Sequence, residues 1–460
     1  MEGEETGNAA EFRLPLRRML LVMARIGTSA VQSPAIRTSA QTSAPAALSW
    51  SYKALFWLFI VSVLATHAFF LWSVRGRVAR GDPDFTVFYT AGKILREGRG
   101  AHLYHPATQQ AVQREFATDS DIRRGPLPYI HPPFEALVFL PLTFLSYREA
   151  FVVWNVLNLG MLGVALGLLR RCMGALQRFP LWQWFMAALA FFPVFANFHQ
   201  GQDAVLLLLI VVLAFRAFDR GAWFLAGCWL GFGVFKYHLI LPLALMLAIW
   251  KGRKFVWGFV AVVAAVASMS LALVGWSGAT AYPSFAWRIV SEPAFGGIPA
   301  RQLPSLDGLL TGWPFAEAVP RLMQGMVLAA SIVLLGVVAR LKTPARGQRF
   351  FRLCIACAVI TAPLVAYSTN SYDLSLLILP VALVADDCLL EPRKTLAATR
   401  RLFVPLIPVL ISPLWFFLWM RWEHINLMTP FLLCWLYVIR QETVRPGREQ
   451  GSLHSGAQIA

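Results

Sequence analysis

Charge is scarce in this chain, and negative charge is scarcer still. Only 14% of the 460 residues are Asp, Glu, Lys or Arg, where soluble domains carry about a quarter. Acidic residues number 24 against 41 basic, and none lies between Glu11 and Asp82. That balance excludes an ordinary soluble globular domain. Cysteine is sparse and badly placed for a disulfide framework: Cys172, Cys228, Cys388 and Cys434 lie in or beside apolar runs. Cys354 and Cys357 fall one helical turn apart inside Leu353–Val365, with no second pair at zinc spacing. Alternation of period two is missing as well, so a β-barrel is excluded. The net charge of +17 has no soluble face to present it, because basic residues fall between apolar runs, and a nucleic-acid partner is therefore not expected.

What is present is apolar and aromatic: 57% hydrophobic residues, with 17 Trp and 34 Phe. Runs such as Ala150–Leu169, Ala204–Phe215, Phe255–Val274 and Leu402–Met420 are nearly free of charge, and about 20 such residues cross roughly 30 Å of hydrocarbon. The expected fold class is an all-α polytopic membrane protein. Spans are placed at Tyr52–Val74 and near 149–170, 181–197, 203–218, 222–235, 238–250, 254–276, 321–341, 351–367, 372–388, 402–420 and 425–440, twelve in all. Residues 1–48 read as a disordered basic leader, within which Leu14–Ile26 has the pattern of a short basic amphipathic helix. Residues 49–440 form the transmembrane domain and 441–460 an inner, disordered tail. A first long outer loop is expected at about 75–148 and a second at about 277–320. Short connections rich in basic residues, among them Arg170, Arg171, Arg216, Arg220, Lys251 and Arg253, mark the inner side. Asp386, Asp387 and Glu391 stand there too and read as a solvated helix end.

With this topology the polar residues gather on the outer side. Asp82 and Asp84 open the first loop, ahead of a short amphipathic helix at Ala91–Glu97. Paired carboxylates beside Pro83 suit a general base, a metal ligand or a simple turn. Tyr89, His102, Tyr104, Tyr129 and His131 follow, the last just before a largely apolar stretch, Phe134–Leu145, too short to span. Later outer turns bring His199, Gln202 and Asp203, then Lys236 and His238, then Arg288 and Arg301, then Tyr372 and Asp373, and finally Arg421 to His424. An ionised group at a span edge costs about 2.5–3.5 kcal/mol on insertion scales, so Lys236 and Asp373 need partners.

The series of motifs resembles glycosyltransferase family 87. It runs Asp84-Phe85-x-x-Phe88-Tyr89-x-Ala91-Gly92 with Leu103-Tyr104, then Tyr129-x-His131-Pro132-Pro133-Phe134 with Pro141-Leu142. Gly201-Gln202, Lys236 with Pro242, and Tyr372-Asp373-Leu374 with Pro380 complete it, over roughly residues 80–385. The resemblance implies the GT-C superfold and transfer of mannose from a polyprenyl-phosphate donor to a lipid or glycan acceptor. It implies that Asp84 is the catalytic aspartate of the first outer loop and that Lys236 contacts the donor phosphate. Some members have histidines where this chain reads Tyr372-Asp373-Leu374, which leaves the sugar and acceptor open. Asp82, Tyr89, Tyr104, His131, His199, Gln202, Lys236, His238, Arg288, Arg301, Tyr372 and Asp373 are the expected substrate-binding residues. A monophosphate leaving group needs nearby positive charge and a base to take the acceptor proton. No metal and no cofactor are expected. The expected setting is a bacterial inner membrane with the site on its periplasmic face. A lipid-linked sugar transporter or flippase, using the same outer cavity without bond cleavage, stands as the alternative.

Overall fold

The computed structural model describes residues 46–117, 127–291, 302–313, 316, 318–341, 347–390, 402, 404–407 and 427–444. The leader helix at Leu14–Ile26, Arg301, Arg421 to His424 and most of the span expected at 402–420 lie outside the described residues. The described residues are helical, without strands. Among the described residues five helical runs have the length and apolar composition of a membrane span: Ala54–Ala79, Tyr147–Cys172, Trp223–Lys251, Arg253–Ile289 and Pro320–Ala339. A sixth is the pair Leu181–Ala190 and Phe192–Gln200, bent by 73°. The outward faces are apolar, with Phe69, Trp72, Val156, Trp276, Leu328 and Val333 all more than half exposed. A surface of that kind belongs in lipid.

In chain order the helices used below are α1 (Ala46–Ala79), α2 (Phe85–Arg96), α3 (Pro106–Arg114), α4 (Tyr147–Cys172), α5 (Leu181–Ala190), α6 (Phe192–Gln200) and α7 (Ala204–Asp219). They continue as α8 (Trp223–Phe232), α9 (Tyr237–Lys251), α10 (Arg253–Ser291), α11 (Leu306–Thr311), α12 (Pro320–Ala339), α13 (Gly347–Val365), α14 (Ile378–Leu390) and α15 (Met428–Val444). Helix α7 is apolar on every side and buried for most of its length, which makes it the axis of the larger core.

The run Trp223–Lys251 would be about 43 Å long if straight. It is not straight. The Lys251 ammonium lies 4.1 Å from the centre of the Trp223 ring, so the two ends meet. A Cβ on Gly227 would come 2.1 Å from the Phe255 carbonyl oxygen, and one on Gly231 would strike Val262. Later residues of α8 thus face later residues of α10, and the two run parallel with α9 as the return limb. The fold-back occurs in the 3-10 turn Gly233–Lys236, where Lys236 leaves helical geometry at φ −107° and ψ 60°. Glycine is what lets α8 and α10 approach this closely.

The described helices alternate between two poles. At one pole Arg352 bonds the Cys172 carbonyl at 2.7 Å and Asp219 at 3.1 Å, and Trp250 donates to the Ala339 carbonyl at 3.0 Å. Here Asp386 departs from the expected solvated helix end. It is buried, and it accepts the backbone N–H groups of Gly174, Ala175 and Leu176 at 2.9, 2.8 and 2.8 Å. Asp387 is also buried and pairs with Arg349. The opposite pole carries the first loop. There the helix expected at Ala91–Glu97 begins earlier, at Phe85, because its apolar face packs into an aromatic core of Phe85, Phe88, Phe139, Tyr147 and Trp154. Helix α10 also runs past its expected end into the second loop region, breaking at Gly275, whose φ of 65° suits glycine. Gly100 sits so close to that break that a Cβ would meet the Leu273 carbonyl oxygen at 2.1 Å.

Candidate active site

The site assembles where the first loop meets the ends of α6, α7, α9 and the 3-10 turn Ser371–Leu377. Asp84 stands at the N-cap of α2, yet its side chain does not cap that helix. Its Oδ2 instead accepts from Gln202 Nε2 at 2.9 Å, while its backbone N–H donates to Gln200 Oε1 at 3.1 Å. Gln202 is delivered by Gly201, which ends α6 in the left-handed region at φ 60°. A Cβ there would lie 2.8 Å from Phe151 and from the Phe85 side chain, so the turn needs glycine twice over. The Gln202 carbonyl is fixed by Trp154 Nε1 and Asn158 Nδ2, both at 3.2 Å.

Next in sequence, Asp203 opens α7 without capping it, and its carboxylate turns to Lys236. The Lys236 ammonium lies 2.8 Å from Asp203 Oδ1 and 2.8 Å from Asp373 Oδ1. All three residues are buried, and Tyr372 covers the ammonium with its ring centre 5.0 Å away. Asp373 serves its own helix as well, since Oδ2 accepts the Asn370 N–H at 2.8 Å in a capping box. The partners that Lys236 and Asp373 needed are each other, with Asp203 as the third.

His131 borders this triad. Its Nδ1 is 2.8 Å from Glu135 Oε2 and 3.9 Å from Asp203 Oδ2, with the ring stacked on Tyr129. Burial pushes the imidazole down to about 4, against the pull of Asp203 and Asp84, so it is neutral at physiological pH. Burial likewise pushes the Glu135 carboxyl well up, helped by the facing carboxyl of Asp203. Tyr104 donates to the His131 carbonyl at 2.8 Å, and burial raises the phenols of Tyr104 and Tyr129, which stay protonated. His238 and Tyr367 flank Tyr237, whose hydroxyl meets that of Tyr367 at 2.5 Å, and this forms a polar aromatic wall beside Lys236.

Not every expected residue joins the cluster. Tyr89 lies in the aromatic core and donates to the Leu145 carbonyl at 2.8 Å. His199 packs on Phe195 and Phe70, near Asp82 and one step behind Asp84. Arg288 is exposed near the end of α10. Conversely, Glu135 was missed, and Asp203 was noted only as part of a turn. Glu135 carried a signal, since it is an acid inside an apolar stretch, where an ionisable group has to be accounted for.

Comparison with known proteins fits this geometry. The chain is 31% identical over 134 residues to the polyprenol-phosphate-mannose-dependent alpha-(1-2)-phosphatidylinositol pentamannoside mannosyltransferase of Mycobacterium tuberculosis, covering 28% of this chain and 30% of that protein. It is 32% identical over 178 residues to the protein of the same description from Mycolicibacterium smegmatis, covering 38% of each. The chain thus spans about a third of the length of the curated relatives it matches. The model of glycosyltransferase family 87 matches residues 129–367, which hold His131, Glu135, Gln202, Asp203 and Lys236. That match covers more than half of the sequence, and the chain belongs to glycosyltransferase family 87.

Proposed function

We propose that this protein transfers mannose from a polyprenyl-phosphate donor to a lipid or glycan acceptor at the outer face of the membrane, with inversion at the anomeric carbon. The observation that carries the reading is the placement of Asp84. It is half-buried, released from helix capping, and bonded to Gln202, the immediate chain neighbour of Asp203, which in turn grips Lys236. In the reaction an acceptor hydroxyl attacks the sugar C1 opposite the phosphate. Asp84 takes the hydroxyl proton as the new C–O bond forms, and the C1–O bond to phosphate breaks with its electron pair leaving on polyprenyl phosphate. The Gln202 amide holds the Asp84 carboxylate in one orientation. The Tyr237, Tyr367 and Tyr372 rings supply surfaces on which a sugar ring can stack beside Lys236.

Orientation follows from charge. Arg170, Arg171, Arg216, Arg220, Lys251 and Arg253 lie near the pole opposite the site, which by the positive-inside rule faces the cytoplasm. Alternation of the described helices is consistent with twelve spans once the segment near 402–420 is included. The names of the relatives supply the donor class, and their pentamannoside acceptor shows the kind of glycolipid to try first. The test is incubation of purified protein with polyprenyl-phosphate mannose and a membrane lipid extract, read by mass spectrometry. Hexose added to a lipid by the wild type and not by Asp84→Asn is the expected result. No transfer by the wild type, or full transfer by the variant, overturns the reading.

A further inference from the structure

The cluster at Lys236 holds more negative charge than its lysine neutralises. Three buried carboxyl groups, Glu135, Asp203 and Asp373, gather about one ammonium. One ammonium thus serves three acidic side chains, and a buried carboxylate left without a positive partner is costly in an apolar interior. The sign is also wrong for a lipid phosphate, and Lys236 is already engaged by Asp203 and Asp373. One ligand atom each from His131, Glu135 and Asp203 lie within 4.8 Å of one another. Asp203 divides its oxygens, Oδ1 to Lys236 at 2.8 Å and Oδ2 toward His131 at 3.9 Å. Glu135 is 1% exposed, yet its Oε1 has no hydrogen-bond partner among the described residues. A buried carboxylate oxygen without a donor, facing a second carboxylate, points to a missing cation.

We propose that His131, Glu135 and Asp203 bind one divalent cation of the Mg²⁺/Mn²⁺ class, whose remaining positions take phosphate oxygens of the lipid donor. The phosphate part rests on the function proposed above, and it replaces the expectation that no metal is needed. The two carboxylates suit these hard ions, which bind through few protein groups and keep open positions for phosphate, and the imidazole favours Mn²⁺ over Mg²⁺. The cation balances the excess charge, and it polarises the departing phosphate where Lys236 is not available to do so. A proton shared between Glu135 and Asp203 is the rival way to relieve the same repulsion.

The test reads metal, not activity, so it stands or fails apart from the transferase reading. The full-length wild type, purified in detergent and stripped with EDTA, is titrated with Mn²⁺ and followed by EPR and by elemental analysis. The expected result is one Mn²⁺ per chain, with ¹⁴N hyperfine coupling from a directly bound imidazole. Glu135→Gln and His131→Ala are expected to weaken binding at least about tenfold, and Asp84→Asn to leave it unchanged. Absence of stoichiometric Mn²⁺ in the wild type, or binding without nitrogen coupling, overturns the site and favours the shared proton. Equal binding by folded Glu135→Gln also overturns it. The wild-type nitrogen signal decides the matter even if the variants do not fold.

Discussion

Replacing Lys236 by Met is the sharpest perturbation of the cluster. At 2.8 Å each carboxylate contact is worth about 6 kcal/mol of Coulomb attraction at an effective dielectric of about 20. Most of that is offset by desolvation of the three groups, but the variant does not recover the desolvation cost of the carboxylates it strands. Removing one partner of a buried pair typically costs about 3–5 kcal/mol, and Lys236 serves two. Lys236→Met is therefore expected to lose about 3–5 kcal/mol, whereas Asp373→Asn, which leaves Lys236 with Asp203, loses less. The double variant Lys236→Met/Asp373→Asn strands one charge fewer, so its loss should fall below that of Lys236→Met alone. Equilibrium unfolding by SDS in mixed micelles, followed by Trp fluorescence, measures all four proteins. A Lys236→Met loss under about 1 kcal/mol, or a double-variant loss equal to the sum of the singles, would refute the claim that these three residues share one buried charge balance.

Three further outcomes follow from the geometry. Asp84→Asn should lower transfer by about 10²–10⁴-fold, the usual contribution of a general base, while membrane insertion and size-exclusion behaviour stay normal. Gly258→Val should split α8 from α10, since a Cβ at that position would lie 2.0 Å from the Phe224 carbonyl oxygen, and a lowered melting temperature checks it; an unchanged value would mean that the helices pack differently. With the native cysteines replaced, single cysteines at the exposed positions 102 and 105 should label from one side of sealed vesicles and a cysteine at 171 from the other, and labelling of all three from one side would overturn the arrangement of poles.

The helical, membrane-embedded character was legible because the apolar runs have the length of a bilayer crossing and no other fold class tolerates so few charges. Asp84, Gln202, Lys236 and Asp373 were legible because each interrupts or borders such a run, where a polar group has to be accounted for. Glu135 was not, although it obeys the same logic, because its stretch is too short to span and only the fold brings Asp203 to face it. Asp386 was misread for a related reason. Next to Asp387 it looks like a solvated end, and only the fold shows that the turn Gly174–Leu176 turns three N–H groups onto it. Tyr89 shows the opposite error, since an aromatic residue in a polar-looking loop suits sugar stacking as well as it suits the loop's own core.

The fold-back that bears Lys236 has limbs of 10 residues in α8 and 15 in α9. Each residue of helix advances the chain by about 100° of rotation and 1.5 Å of rise. One residue inserted into either limb would swing the ammonium to another compass bearing and lift it away from Asp203 and Asp373 together. Exposed loops tolerate changes in length far better, but the span from Trp223 to Lys251 has to keep its register to the residue.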